Sequence, residues 1–300
     1  MIKTMLDIQA KAKSVRKRVL SVACAHDLEV MLAVDEAVNK GIVEPVMVGD
    51  VEKIKKIAKE KNIDISNWQL VDEKDDFNAA MKAVKYVSEG KADMIMKGMI
   101  ATGTFLKAVL NKEWGLRSGS LLSHVALIEV PTYHKLVAVT DAAMNVAPDI
   151  MAKVDIINNS VKVMRALGIN KPKVAAICAV ETVNIAMQPT IDAALLAKMS
   201  DRNQIKNCVV DGPLALDNAI SKEASEHKGI ISEVAGDADI ILCPDIEAGN
   251  VLYKALSFLA EAKIAAIIVG ASCPIVLTSR ADSDEAKLNS IALAASCVID

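Results

Sequence analysis

Aromatic side chains make up only 3% of the 300 residues, and 35 Lys and Arg stand against 38 Asp and Glu, for a net charge of −3. A chain with so few stacking rings and no broad positive field is not built to bind nucleic acid. Long apolar runs are also missing. The longest, IAAIIVGASCPIVL (264–277), falls short of the ~20 residues a membrane-spanning helix needs and contains Gly270 and Pro274. No membrane partner is expected. Near the N-terminus, Lys and Arg precede VLSVACA in the outline of a signal peptide, but this segment is short and runs straight into His26 and Asp27. The cysteines at 24, 178, 208, 243, 273 and 297 include no CxxC pair, and most sit in apolar runs. They read as buried, reduced thiols of a cytoplasmic protein.

Cofactor and metal signatures are missing as well. There is no GxGxxG, which argues against a nicotinamide or flavin. GMIATGTF (98–105) has Gly98 and Gly103 at P-loop spacing but lacks the Lys-Ser/Thr pair that should follow. His26, His124, His134 and His227 have no close metal spacing, nor do Asp141, Glu181, Asp211, Asp217 and Asp245. Neither a metal nor a resident cofactor is expected.

What the chain does have is alternation. VLSVACA (19–25), EPVMVGD (44–50), WQLVDE (68–73) and ADMIMKG (92–98) read as strands, separated by amphipathic segments such as VEKIKKIAKEKN. HVALIEV and KLVAVTD follow closely and suggest a hairpin. A second series contains KVAAICAVE, NCVVDG, ADIILCPD and KIAAIIVG. The fold class is α/β, with two α/β domains on mostly parallel sheets. A soft boundary falls near residues 141–150.

In open α/β sheets ligands bind outside the carboxyl ends of strands. Here those ends read MKGMIATGTF, VTDAAMN, CAVETVN, VVDGPLA, CPDIEAGN and LTSRADSDE, each polar directly after an apolar run. In the first, backbone N–H groups with Thr102, Thr104 and neighbouring Lys97 could hold an anion; the alternative is a Thr-capped helix with no ligand. His124, at a strand start, is a binding candidate or a hydrogen-bonded structural histidine. KAKSVRKR (11–18) reads as a solvated helix face. The strongest signal is Ser279-Arg280, where an apolar run ends in a hydroxyl and a guanidinium, followed by Asp282, Asp284 and Glu285. A planar guanidinium suits phosphate or carboxylate; the alternative is an ion pair with those acids, with Ser279 a helix cap.

PIVLTSRADS, CPDIEAGNVLYKAL, DGPLALDNAI and KADMIMKGMIATGTFLKAVL together resemble the phosphate acetyl/butyryltransferase family over essentially the whole chain. The resemblance implies two α/β domains, 1–141 with 271–300 and 142–270, flanking an interdomain active-site cleft. It implies reversible acyl transfer between coenzyme A and phosphate, with a short acyl chain (butyryl favoured) and no covalent acyl-enzyme, in a homodimer or higher homo-oligomer. Coenzyme A would be a substrate and not a cofactor. By that match Arg280 would bind the phosphoryl group, Ser279 would donate to the oxyanion, and Lys107 would stand where the family has a phosphate-binding arginine. Lys97, Thr102, Thr104, His124 and Asn250 complete the candidate substrate-binding set. The acetyl-transferring relatives have an Asp six residues beyond the arginine, where this chain has Ala286. Glu285 is then the candidate base and Asp282 the orienter of Arg280. A decarboxylating dehydrogenase on a similar fold and a non-catalytic protein binding coenzyme A or an acyl phosphate are the competing readings.

Overall fold

The structure, a computed structural model, describes residues 2–278 and 282–298. Its chain divides into two compact units. One, here the terminal unit, comprises Met5–Ser120 and Ala265–Asp300; the other, the middle unit, comprises Leu121–Ile264 with Met1–Thr4. The division thus falls at 120/121 and 264/265, whereas the sequence reading places it at 141/142 and 270/271. Two stretches are displaced: 121–141, the hairpin, whose second strand pairs with a strand of the middle series, and 265–270, which falls in the terminal unit.

The terminal unit opens with α1 (Met5–Ser14), β1 (Arg18–Ala23), α2 (Leu28–Asn39), β2 (Val43–Gly49), α3 (Val51–Lys61), β3 (Gln69–Asp72), α4 (Asp76–Ser88), β4 (Met94–Lys97) and α5 (Thr102–Val109). One local device recurs. Asp27, Asp50 and Asp75 lie between a strand and a helix, and each side chain accepts a hydrogen bond from the backbone three residues on. Such an aspartate satisfies an orphan N–H and complements the helix dipole, a cap worth about 1 kcal/mol. Part of the polarity at strand ends is therefore capping. The basic run 11–18 is not one solvated face either. The helix ends at Ser14, and Arg18 begins β1 with 1% exposure, its Nη2 donating to the Val298 carbonyl at 3.3 Å.

The middle unit holds β5 (Ser123–Glu129), β6 (Val137–Thr140), α6 (Ile150–Ala166), β7 (Lys173–Ile177), α7 (Gln188–Asp201), β8 (Val209–Leu214), α8 (Leu216–Ile220), α9 (Lys222–His227), β9 (Ile240–Leu242) and α10 (Ile246–Phe258). Its strands lie in the order β5-β6-β9-β7-β8. β5 and β6 form the expected antiparallel hairpin, and β6, β9, β7 and β8 run parallel. The chain then returns to the terminal unit through β10 (Lys263–Val269), β11 (Ile275–Val276) and α11 (Asp284–Cys297). There the order is β3-β2-β1-β4-β11-β10, with only the β10–β11 pair antiparallel. The α/β class and the mostly parallel pairing match the sequence reading. Successive crossovers bury both faces of such strands, and β1, β4 and β6 are almost wholly interior.

The hairpin turn is fastened at the amino ends of the middle strands. Asp237 Oδ1 lies 2.8 Å from both His134 Nε2 and Lys135 Nζ, and its Oδ2 lies 2.6 Å from Lys173 Nζ. Lys135 also reaches Asp239 at 2.6 Å. Burial alone would raise the Asp237 pKa, but hydrogen bonds from Lys135, Lys173 and His134 outweigh it and hold the carboxyl well below the usual range. A carboxyl depressed on folding adds stability above its unfolded pKa of about 3.9, and that contribution disappears as pH falls through the folded value. Asp237→Asn should therefore lower Tm by about 2–4 °C at pH 7. Thermal melts from pH 7 to 3 should show the two curves converging below about pH 4; a gap constant with pH would mean the network is not electrostatic.

Candidate active site

From β1 the chain winds outward through β2 and β3, then returns to β4 on the other side of β1. That reversal is a topological switch point, where open α/β sheets place ligands beyond the carboxyl ends. The β1 and β4 ends are in register, Ala23 opposite Lys97. Gly98 turns the chain hard against β1, and a Cβ there would stand 2.3 Å from the Cys24 carbonyl oxygen. Only glycine allows that approach. Gly98 and Met99 then donate N–H bonds to Ala23 and Cys24, each at 2.8 Å.

Lys97 is buried. Its Nζ folds back and donates to the carbonyls of Gly98 at 3.1 Å and Ile100 at 2.9 Å, so it braces the 98–101 loop from beneath. The loop delivers the N-terminus of α5 with Ala101 as N-cap and no side-chain cap. The Thr-capped alternative therefore does not hold: Thr102 is the first helical residue and is exposed, and Thr104 is partly exposed. The first N–H groups of a helix have no intrahelical partner, and Ala101 offers no side chain to take them up. Lys107, one turn beyond Thr104, is exposed with Nζ 5.8 Å from the Phe77 ring centroid.

β11 lies parallel to β4 with Ile275 opposite Ile95 and Val276 opposite Met96. Leu277 thus comes abreast of Lys97, and the chain leaves β11 beside the 98–101 loop. Ser279 and Arg280 follow immediately and lie outside the described residues. The N-cap of α11 is Ser283, whose side chain accepts from Ala286 N at 3.2 Å; the reading of Ser279 as that cap is thereby replaced. Asp282 is partly buried, and Glu285 is exposed in the first turn of α11. Nearby, a hydrogen bond with Asp284, followed by its like charge, raises the Glu29 pKa. Glu29 on α2 had no signal in the sequence, because only packing of α2 on α11 brings it there.

In the middle unit a second set of groups meets at the β6 carboxyl end. Antiparallel pairing brings the start of β5 there, so His124 lies at the edge where Asp141 leaves β6. His124 is 5% exposed, with its ring edge-on to Tyr253 at 5.6 Å between centroids. Thr140 Oγ1 donates to the His124 carbonyl at 2.8 Å. Asp141 is buried; its Oδ1 accepts from the N–H groups of Ala143 and Met144, and its Oδ2 from Asn145 Nδ2 at 2.6 Å. Asn250 is exposed on α10 and donates to the Ala142 carbonyl at 3.1 Å. Gly249 permits that closeness, since a Cβ would meet the Asp141 carbonyl oxygen at 2.2 Å. Asp245 is the α10 N-cap and accepts from Ala248 N at 2.8 Å. Tyr253 and Asn145 were missed by sequence reasoning, although Tyr253 sits in the distinctive EAGNVLYK segment, one helical turn after Asn250.

The six thiols are free. Burial, the largest cause in each, pushes Cys24, Cys243, Cys273 and Cys297 up to about 12, and Cys178 and Cys208 up to about 11. A thiol is nucleophilic as thiolate, so none of these is poised to attack. Among the described residues, no group of three or more His, Cys, Asp or Glu is arranged to hold a metal ion, and no helix is long and apolar enough to cross a membrane.

A glycine-turned loop, a helix N-terminus without a side-chain cap from its N-cap residue, and a strand leading towards Ser-Arg share one carboxyl edge of an α/β protein. The chain belongs to the family described as phosphate acetyl/butaryl transferase, which it matches over residues 3–79 and 73–295. It is 54% identical over 295 residues to a phosphate butyryltransferase of Clostridium acetobutylicum, covering 98% of each chain. It is 46% identical to a phosphate acetyltransferase of Thermotoga maritima, covering 92% of this chain and 94% of that one. Among solved structures, a branched-chain phosphotransacylase from Enterococcus faecalis superposes with a TM-score of 0.84 at 35% identity, over 94% of this chain and 99% of that one. A 4-hydroxythreonine-4-phosphate dehydrogenase from Burkholderia phymatum has a TM-score of 0.57 at 12% identity, over 95% of this chain and 99% of that one. That last likeness concerns the fold alone.

Proposed function

We propose that this protein is an acyltransferase moving a short-chain acyl group, butyryl favoured, between coenzyme A and inorganic phosphate. The observation that carries the reading is near-full-length identity of 54% to a phosphate butyryltransferase. The geometry supports it: the loop after β4 and the chain leaving β11 share one edge, where an acyl phosphate needs its dianion held. In the thioester-forming direction the coenzyme A sulfur attacks the acyl carbonyl carbon. A C–S bond forms, the C–O bond to phosphate breaks, and the thiol proton passes to a base. Arg280 holds the phosphoryl group and Ser279 donates to the carbonyl oxygen as charge develops on it. Asp282 and Glu285 are the candidates for orienting Arg280 and accepting the proton.

Transfer is direct, within a ternary complex. Support comes from the six thiols, four buried and two partly buried, whose pKa values are pushed up to about 11 to 12, so none is a ready nucleophile. In this reading coenzyme A is a substrate and the reaction needs no resident cofactor. The protein acts in the cytoplasm as a homo-oligomer. A dehydrogenase reading is not favoured, since its structural relatives share only 12% of the sequence.

Butyryl-CoA with and without phosphate tests the proposal through release of free thiol. Phosphate-dependent release is expected, with overlapping use of acetyl and propionyl chains, because one methylene is worth only about 1–3 kcal/mol in an apolar pocket. Pre-treatment with iodoacetamide followed by its removal should leave the rate nearly unchanged. Thiol release that ignores phosphate would reject acyl transfer to phosphate, and stoichiometric inactivation by alkylation would reject the direct route.

A further inference from the structure

Tryptophan and phenylalanine are scarce in this chain, two and three residues respectively, yet one of each meets at the surface of the terminal unit beside α5. Trp68 and Phe105 are interior. Trp114 and Phe77 are only half-buried, in edge-to-face contact at 6.4 Å between ring centroids. Lys85 Nζ stands 5.9 Å from the Trp114 centroid, and Lys107 Nζ 5.8 Å from that of Phe77. Lys82 and Lys91 nearby pair with Glu73 and Glu89, but among the described residues neither Lys85 nor Lys107 has a carboxylate partner.

Both rings are held in place by the backbone around them. Asn111 Oδ1 accepts from the N–H groups of Glu113 and Trp114 at 2.8 and 3.2 Å, and Leu116 N donates to the Val109 carbonyl at 2.7 Å. Gly115 closes that turn, since a Cβ there would stand 2.4 Å from the Asn111 carbonyl oxygen. Phe77 is the second residue of α4, and the carbonyl of Asp76 before it accepts from Cys24 Sγ at 3.5 Å. Cys24 is also the residue whose carbonyl takes the Met99 N–H. The rings therefore border the 98–101 loop, and Lys107 stands about 7.5 Å along α5 from Thr102. The two acids before Phe77 are engaged within the protein: Asp75 caps α4, and the Asp76 carboxyl lies 3.8 Å from Cys24 Sγ.

Two half-exposed rings flanked by two ammonium groups match a planar base that carries phosphates. Any base has a π-face to stack on an aromatic side chain, and lysine is a point charge suited to phosphate oxygens. We propose that Phe77 and Trp114, with Lys85 and Lys107, seat the adenosine end of coenzyme A, the rings holding adenine and the ammonium groups its phosphates. The inference rests on the acyl-transfer reading above. A cation over an exposed ring contributes about as little as a surface ion pair, so shielding of the rings gives no reason for both lysines to lack carboxylate partners. The seat holds a part of the substrate that does not react. Its contribution is the same in ground and transition states, so its loss falls on KM and not on kcat.

Trp114 supplies a readout independent of turnover, because the other tryptophan, Trp68, is 6% exposed. Coenzyme A and adenosine 3′,5′-bisphosphate should each change Trp114 fluorescence on titration, and pantetheine, which lacks the nucleotide, should not. In the butyryl-CoA assay Trp114→Leu should raise KM about 10-fold with kcat within about twofold. Trp114→Phe keeps a stacking ring and should stay within about threefold of the parent in KM. Lys85→Gln and Lys107→Gln should raise KM and make it less sensitive to salt, since each removes a screened attraction. With butyryl-pantetheine as acyl donor, Trp114→Leu should match the parent. Melting curves confirm folding, and if Trp114→Leu does not fold, Phe77→Leu carries the same comparison. An unchanged KM for butyryl-CoA in the folded ring variant, or a pantetheine response equal to that of the nucleotide, would overturn the proposal. So would an equal loss with butyryl-pantetheine, which would place the rings at the acyl end or in the fold. If the parent shows no phosphate-dependent thiol release, the acyl-transfer reading is what fails, and the fluorescence titration still decides the nucleotide seat.

Discussion

Ser279→Ala should fold as the parent does and lose roughly 100- to 1,000-fold in turnover, the usual cost of removing one donor aimed at a developing oxyanion. The substitution removes a single hydroxyl, and the α11 cap is supplied by Ser283, so stability should hardly change. In both directions of the reaction the carbonyl oxygen gains charge between sulfur and phosphate. A donor placed for that charge lowers the barrier more than it improves ground-state binding, so the deficit should appear in kcat and not in KM. Steady-state kinetics in both directions, with a melting curve, decide the matter. Near-wild-type turnover would leave Ser279 without a role in the chemistry.

Arg280→Lys keeps the charge and should nonetheless lose about 10- to 100-fold in kcat/KM for phosphate or acyl phosphate, corresponding to one lost charge-assisted hydrogen bond of roughly 1.5–3 kcal/mol. A guanidinium presents two parallel N–H groups to two oxygens of a dianion, whereas an ammonium is a point charge on a flexible stem. The affinity for coenzyme A should be nearly preserved, which separates loss of a phosphate clamp from general damage. Titrating phosphate at saturating butyryl-CoA, and the reverse, resolves the two. Equal loss toward both substrates, or none, would reduce Arg280 to an ion-pair partner of its neighbouring acids.

How much of this was legible in the sequence differs from element to element. The strands could be read because each is a short apolar run bounded by Gly, Pro or Asp, and buried parallel strands leave that mark whatever they pack against. Candidate residues could be read where polar groups abruptly end such runs, as at Lys97-Gly98 and Thr278-Ser279-Arg280. Their individual tasks were less legible. Lys97 looked like an anion ligand, yet its Nζ bends back to two carbonyls of its own loop. Asp245, one of the polar residues that follow a strand end, is a helix cap.

By itself, then, the sequence determined the α/β class, the strand–helix alternation and the family, because these depend on local periodicity and on contiguous motifs. Only the tertiary structure decided which strands are neighbours. Pairing of β11 with β4, 180 residues apart in register at Ile275 and Ile95, is a choice among sheet edges that no local pattern encodes. The same holds for the contacts of Tyr253 with His124 and of Glu29 with the start of α11, which bring together residues far apart in the chain. Lys287 is the sharpest case. In sequence it is one more lysine near a helix start, and its 2% exposure and hydrogen bond to the Asp282 carbonyl exist only once α11 has packed on α1 and α2.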